Sequence, residues 1–185
     1  MEIALNRQNG SFASSKGWKI GDESKAFVGK NQLFVGDFNN DGFDDIGVKW
    51  ESPRRNGEWE IALNNKNGGF EEIRRWNILG NDKAYIGENI PFAGDFNGDG
   101  FDDIGVQWMS GPQRGRWQIS LNNQAGSFDA PAFWMIGNRT EHHFGEALPI
   151  VGDFNGDGFD DIGAKWTGGP VQGYWTYSLN NRAGA

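Results

Sequence analysis

The chain repeats itself every 58 residues, and no insertion interrupts the spacing. Three segments carry the repeat: GDFNNDGFDDIGVKW from Gly36, GDFNGDGFDDIGVQW from Gly94 and GDFNGDGFDDIGAKW from Gly152. All nine tryptophans keep the same period, as Trp18, Trp76, Trp134; Trp50, Trp108, Trp166; and Trp59, Trp117, Trp175. A further element occurs four times, from Glu2, Glu60, Gln118 and Thr176, with EIALNRQNGSF as its first copy. A fixed period of this order marks a repeat architecture, in which each unit buries its apolar face only against a neighbour.

Four strands fit within one period. Strand A covers about residues 32–38, strand B 45–50, strand C 59–64 and strand D about 70–78. In strand B, Ile46, Val48 and Trp50 alternate with Gly47 and Lys49; in strand C, Trp59, Ile61 and Leu63 alternate with Glu60 and Ala62. Period-two alternation bounded by Gly, Asn and Pro clusters reads as strands joined by hairpins. Segments such as 66–69 are natural turns. The second face of strands B and C carries small residues, Gly47, Gly105 and Gly163, then Ala62, Ser120 and Ser178. A neighbouring unit is expected to pack closely there. Four short antiparallel strands per repeat match a β-propeller blade. The expected fold is all-β: a single propeller domain over 1–185, with blades at about 31–80, 89–138 and 147–185, the last completed by an N-terminal segment 1–21.

Charge placement sharpens the reading. The net charge is −8, yet twelve of the 25 acidic residues lie in the three copies of the segment 37–45. The other 13 acids face 17 Lys and Arg, and no basic stripe suited to nucleic acid is visible. No run of about 18 apolar residues exists to span a membrane. Met1 leads at once into strand-like sequence rather than a secretory leader. With no cysteine, disulfides say nothing of the redox compartment.

The acidic loop reads D-x-N-x-D-G-x-x-D. In the first copy Asp37, Asn39 and Asp41 stand at positions 1, 3 and 5, the Phe43 carbonyl is available at 7, and Asp45 closes the set at 9. The second copy offers Asp95, Asn97, Asp99, Phe101 and Asp103, and the third Asp153, Asn155, Asp157, Phe159 and Asp161. Hard oxygen donors in a flexible loop suit Ca²⁺, which takes six to eight of them. Position 12 is Val48, Val106 or Ala164, not the bidentate Glu of an EF-hand, so a β-hairpin calcium loop is expected, with three Ca²⁺ per chain. Asp44, Asp102 and Asp160 at position 8 are expected to point outward.

The GDFNGDGFDDIGV core resembles the FG-GAP/VCBS repeats, the calcium-binding blades of integrin α-subunits, of many secreted bacterial proteins and of some lectins. The resemblance covers essentially the whole chain. It implies a propeller with calcium in the A–B hairpin of each blade. Position 3 is Asn rather than the Asp usual in integrins, closer to the VCBS type. The integrin-style Gly-Ala-Pro ending is absent, so no integrin ligand site carries over.

Other constellations are weaker. Trp18, Trp76 and Trp134, on the outermost strand, are expected to be the most exposed tryptophans and candidates for stacking on a sugar. Asn64, Asn122 and Asn180 are the candidate hydrogen-bonders beside them. Core packing is the competing role for every tryptophan set. His142 and His143 occur in one repeat only and read as loop residues. No nucleophile–base pair or isolated carboxylate pair stands out, so no enzyme is expected. The hairpin tips 52–57, 110–115 and 168–173 vary among repeats, as recognition surfaces on a repeated frame often do. The expected function is non-catalytic binding or adhesion outside the cell or at its surface, most specifically of glycans at several identical sites. A purely structural module, or a fragment of a larger surface protein, is the alternative. Strand C occurs at both chain ends, and propellers have four to eight blades. Two copies are therefore expected to form a six-bladed homodimer by exchanging strands at open blade edges.

Overall fold

A computed structural model describes residues 2–17, 30–78, 81, 83–134 and 146–182. Trp18, His142 and His143 lie outside the described residues. The described strands run β1 (Glu2–Ile3), β2 (Lys16–Gly17), β3 (Asn31–Gly36), β4 (Asp45–Trp50), β5 (Trp59–Ala62), β6 (Arg74–Arg75) and β7 (Asn77–Ile78). They continue with β8 (Asn89–Gly94), β9 (Asp103–Trp108), β10 (Trp117–Ser120), β11 (Ser127–Phe128), β12 (Ala132–Trp134), β13 (Ala147–Gly152), β14 (Asp161–Trp166) and β15 (Trp175–Ser178).

These strands make two four-stranded antiparallel sheets, β3-β4-β5-β6 and β8-β9-β10-β12, and a three-stranded one, β13-β14-β15. β1 pairs with β2 so that Glu2 faces Gly17, the register that Glu60 and Arg75 keep one repeat later. The N-terminal hairpin therefore has the pairing of strands C and D of a sheet.

Strand B falls where the alternation put it, but strand D does not run unbroken over 70–78. β6 pairs with β5 of its own sheet, while β7 runs parallel to β11 of the next repeat. Trp76 sits at the break. Its amide donates to the Trp59 carbonyl at 3.0 Å, and its ring wedges against Phe38 and Phe128. The chain thus leaves one sheet and stitches itself to the following one.

The glycines of strand B are filled from within their own sheet, not by a neighbouring blade as expected. Phe34 faces Gly47 and Phe92 faces Gly105 across the A–B pairing. A Cβ on Gly105 would lie 2.2 Å from the Phe92 ring and 2.7 Å from Ile119. At Gly163 the facing residue is Ile150, and the nearest atom to a Cβ is 3.5 Å away. Gly105→Ala is therefore expected to cost about 1–3 kcal/mol by overpacking, while Gly163→Ala stays within about 0.5 kcal/mol of the parent. Urea denaturation of the two variants checks the contrast, and equal midpoints would refute it. The small residue of strand C does meet a neighbour, because Ser120 Oγ lies 2.7 Å from the Tyr85 hydroxyl on the segment joining the first two sheets.

The core lies between consecutive sheets. Phe34, Trp59 and Ile61 of the first sheet pack on Ile104 and Val106 of the second. Phe92, Trp117 and Ile119 of the second pack on Ala147, Ile162 and Ala164 of the third. The indoles of Trp50, Trp108 and Trp166 each donate to the side chain ten residues on, Glu60, Gln118 and Thr176, at 2.8–2.9 Å.

Candidate functional site

Each acidic loop connects strands A and B at the same end of its sheet. The first aspartate organises it. Asp37 accepts from the Asp41 and Gly42 amides at 3.0 and 2.7 Å, and Asp95 and Asp153 do the same for their own loops. Gly42, Gly100 and Gly158 take φ of +82°, +87° and +85°, which a side chain would resist. Asn39, Asn97 and Asn155 donate to the aspartate at position 5 at 2.9–3.1 Å. Asn39 Oδ1 is buried with no hydrogen-bond partner among the described residues.

Position 5 differs in its surroundings from repeat to repeat. The Asp41 carboxylate faces the Lys66 ammonium at 3.4 Å, Asp99 accepts from the Gln124 amide at 3.0 Å, and Asp157 pairs with Arg182 at 3.1 Å. Among the described residues no three acidic or histidine side chains are gathered into a metal-holding group. The chemistry of the donor set still fits a hard cation. Positions 1, 3 and 5 crowd side-chain oxygens into one turn, and a carboxylate oxygen that accepts one amide hydrogen keeps a second lone pair.

Position 9, expected to close the ligand set, has a different primary engagement. Asp45, Asp103 and Asp161 are fully buried. One oxygen of each accepts from the amide of Phe38, Phe96 or Phe154 at 3.0 Å. The other accepts from the amide of Asn64, Asn122 or Asn180 at 2.7 Å. Burial pushes Asp45 up to about 6 and Asp103 up to about 8, against those amide bonds.

Position 8 corrects the expectation of an outward side chain in two of three repeats. Asp102 accepts from the Asp37 amide, and Asp160 from the Asp95 amide, each at 2.9 Å and each across to the preceding sheet. Their own amides return the bond to the Asp37 and Asp95 carbonyls at 2.9 and 2.8 Å. Burial raises Asp102 to about 7. Gly36 and Gly94 make room, since a Cβ there would lie 2.5 and 2.6 Å from these carboxylates. The recurrence of Asp after every Gly-Phe pair was the available signal, but only a pairing across 65 residues reveals its use. Asp44 alone is exposed, with no partner for its carboxylate among the described residues.

The candidate sugar contacts also change. Trp76, expected at an exposed edge, is 8% exposed and belongs to the core. Trp134 is half-buried and packs edge-on against Phe96. Asn122 turns inward: its amide donates to the Phe38 and Asp102 carbonyls at 3.0 Å, and Asn180 does the same to Phe96 and Asp160. Asn64 donates to the Asp44 carbonyl at 3.2 Å. These asparagines tie sheets and loops together rather than face solvent with free amides.

A groove of about 470 Å³ opens between the first two sheets instead. Phe38, Asn39, Leu63, Arg74, Arg75 and an edge of Trp76 line one wall; Phe101, Gln124, Ala125 and Gly126 line the other. It adjoins the first acidic loop through Asn39. The two arginines were not singled out from the sequence, because they fall in the stretch of strand D where the repeats diverge.

No family model matches the chain. Integrin alpha-4 of Xenopus laevis is 29% identical over 138 residues, 68% of this chain and 13% of the integrin. A lectin of Agrocybe aegerita, solved for its specific recognition of non-reducing terminal N-acetylglucosamine, superposes with a TM-score of 0.57 at 22% identity. That overlay takes in 100% of this chain and 47% of the lectin. The Tc holotoxin pore of Photorhabdus luminescens superposes with a TM-score of 0.59 at 14% identity, over 98% of this chain and 8% of that one. The chain thus spans about one eighth of the integrin and under half of the lectin. The repeat resemblance and the superpositions agree: this chain is distantly similar to integrin alpha-4 over 138 residues and has the four-stranded antiparallel sheets of propeller-containing structures.

Proposed function

We propose that the chain is a non-catalytic, calcium-stabilised propeller that binds glycans outside the cell or at its surface. The observation that carries the binding role is the groove between sheets, lined by Trp76, Arg74, Arg75 and Gln124 beside an acidic loop. Such a mixture of an apolar face with a few convergent polar groups suits a sugar. The likeness to a lectin supports it. Asp37, Asn39, Asp41 and the Phe43 carbonyl, with Asp45 beneath them, would hold one Ca²⁺, and the other two loops would do likewise. Calcium, when bound, supplies a divalent charge that offsets the clustered carboxylates. No helix among the described residues is long and apolar enough to cross a membrane. Two copies would close a ring of six blades, with β13 and β14 of one copy sharing a blade with β2 of the other.

A glycan array that includes terminal N-acetylglucosamine, followed by calorimetry, tests the binding role. Arg74 is exposed, and Gln124 lies on the facing wall. Arg74→Ala and Gln124→Ala are each expected to weaken binding about tenfold, the worth of one hydrogen bond to a polar ligand. Silence across the array, with folded protein, would favour the purely structural reading. The burial of Trp76 and the inward asparagines already speak for that second reading.

A further inference from the structure

The third sheet exposes a face that the first two bury. Ile150, Phe154, Trp175 and Tyr177 are 37%, 51%, 63% and 70% exposed, whereas their counterparts Phe92, Phe96, Trp117 and Ile119 are all buried against the following sheet. An apolar face of this kind marks an interaction surface. The first sheet carries the converse. Val35 and Phe43 are 61% and 47% exposed along its inner edge, and the Asp44 carboxylate is exposed beside them.

We propose that these two surfaces are the halves of one seam and that its occupant is a second copy of this chain. The inference rests on the two-copy ring proposed above and fixes how its halves meet. The template is the seam that the chain already forms twice. In each, the position-8 aspartate of the later repeat accepts from an amide of the earlier one, and an asparagine amide donates to a phenylalanine carbonyl 84 residues before it. One repeat further on, the amide of Asp153 and the carbonyl of Phe154 are left for Asp44 and Asn64 of the other copy.

The steric pattern matches the polar one. Val151 sits on Gly94, where a Cβ would lie 2.5 Å from its methyl, and the Phe159 ring covers Gly98 at 2.7 Å. Among the described residues, a Cβ at Gly152 would have the Phe154 ring of its own sheet as its nearest neighbour, at 3.3 Å, and one at Gly156 would meet nothing within 4 Å. Val35 and Phe43 are the residues that would fill these equivalent recesses. Recess and donor at one end therefore answer projection and acceptor at the other, pair by pair. The three described sheets do not bring those two ends together, since propellers typically have four to eight blades. The lectin overlay takes in 47% of the lectin, so two copies supply about its whole length.

A cysteine pair tests the register, because the chain has no cysteine of its own. In the first seam a Cβ at Gly36 would lie 3.0 Å from the Cβ of Ala93, the pair of positions that Gly152 and Val35 would occupy. Disulfides need about 3.5–4.5 Å between Cβ atoms, a widening of roughly 0.5–1.5 Å. Val35→Cys with Gly152→Cys should oxidise to one covalent species of twice the 20.5 kDa chain mass on a non-reducing gel. Light scattering of the parent protein gives the assembly state separately. A dimer that fails to cross-link would overturn this seam and leave the two-copy ring standing. A monomer would overturn both, and a ladder beyond two chains would overturn closure. Asp44→Ala guards against misfolding of the cysteine variant. Asp44 has no side-chain partner among the described residues, so circular dichroism should not change. The dimer dissociation constant should rise about a hundredfold, since two charge-assisted bonds are lost per ring. An unchanged constant would overturn the register.

Discussion

An Asp103→Ala chain is expected to lose about 2–4 kcal/mol of folding stability, a large share of what an ordinary domain has. The residue is fully buried, and its two oxygens serve two amides on different elements. Truncation leaves the Asn122 amide with no acceptor in a dry interior. The Phe96 amide keeps a second bond to the Gly94 carbonyl at 3.1 Å, which is why the cost does not reach twice the orphan penalty. Asp44→Ala, one position before the same kind of residue in the first repeat, should change monomer stability by less than about 0.5 kcal/mol. Guanidinium unfolding of both variants gives the comparison. A loss under 1 kcal/mol at Asp103 would show that the amides find other acceptors.

The second large effect joins metal to pH. Asp45, Asp102 and Asp103 are raised by burial to about 6, 7 and 8, above the usual carboxylate range. A raised folded value means that the folded chain binds protons that the unfolded chain has released. That contribution is full below about pH 4 and is lost as pH rises through the folded values, between about 6 and 8. Without calcium, the melting temperature should therefore fall as pH rises from 5 to 8. With calcium in excess, the deprotonated loops are the ones that bind, so the fall should vanish and the pH 8 value should rise. A site filled at 100 times its dissociation constant adds about 2.7 kcal/mol, and three would add about 8. Scanning calorimetry in chelator and in calcium, at pH 5 and pH 8, reads both trends. Asp41→Ala, Asp99→Ala and Asp157→Ala together should erase the calcium response. Identical pH 8 curves with and without chelator would remove calcium from the functional reading.

Where sequence reading succeeded, the information was local. Strand B runs over Asp45–Trp50 in the structure as in the alternation, and the glycine of each loop takes the positive φ that its position demands. Strand A stops at Gly36, two residues early, because Asp37 and Phe38 turn their amides to Asp102 and Asp45. Strand D broke because its second half pairs with a different repeat, a choice that no local period encodes. The same limit hid the use of Asp102 and Asn122, whose partners lie 65 and 84 residues away. Trp76 was misplaced for a related reason: its strand is peripheral in its own sheet, yet Phe128 of the next one covers it.

The neighbours of position 5 set the three loops apart. A cation entering the first must displace the Lys66 ammonium from Asp41, in the third it must displace the Arg182 guanidinium from Asp157, and in the second it meets only the neutral Gln124 amide at Asp99. Like charge at the door raises the cost of entry, and a neutral amide does not. Loops that are nearly identical in sequence would thus fill in order, the middle one first, and spread the response over a range of concentration instead of a single threshold.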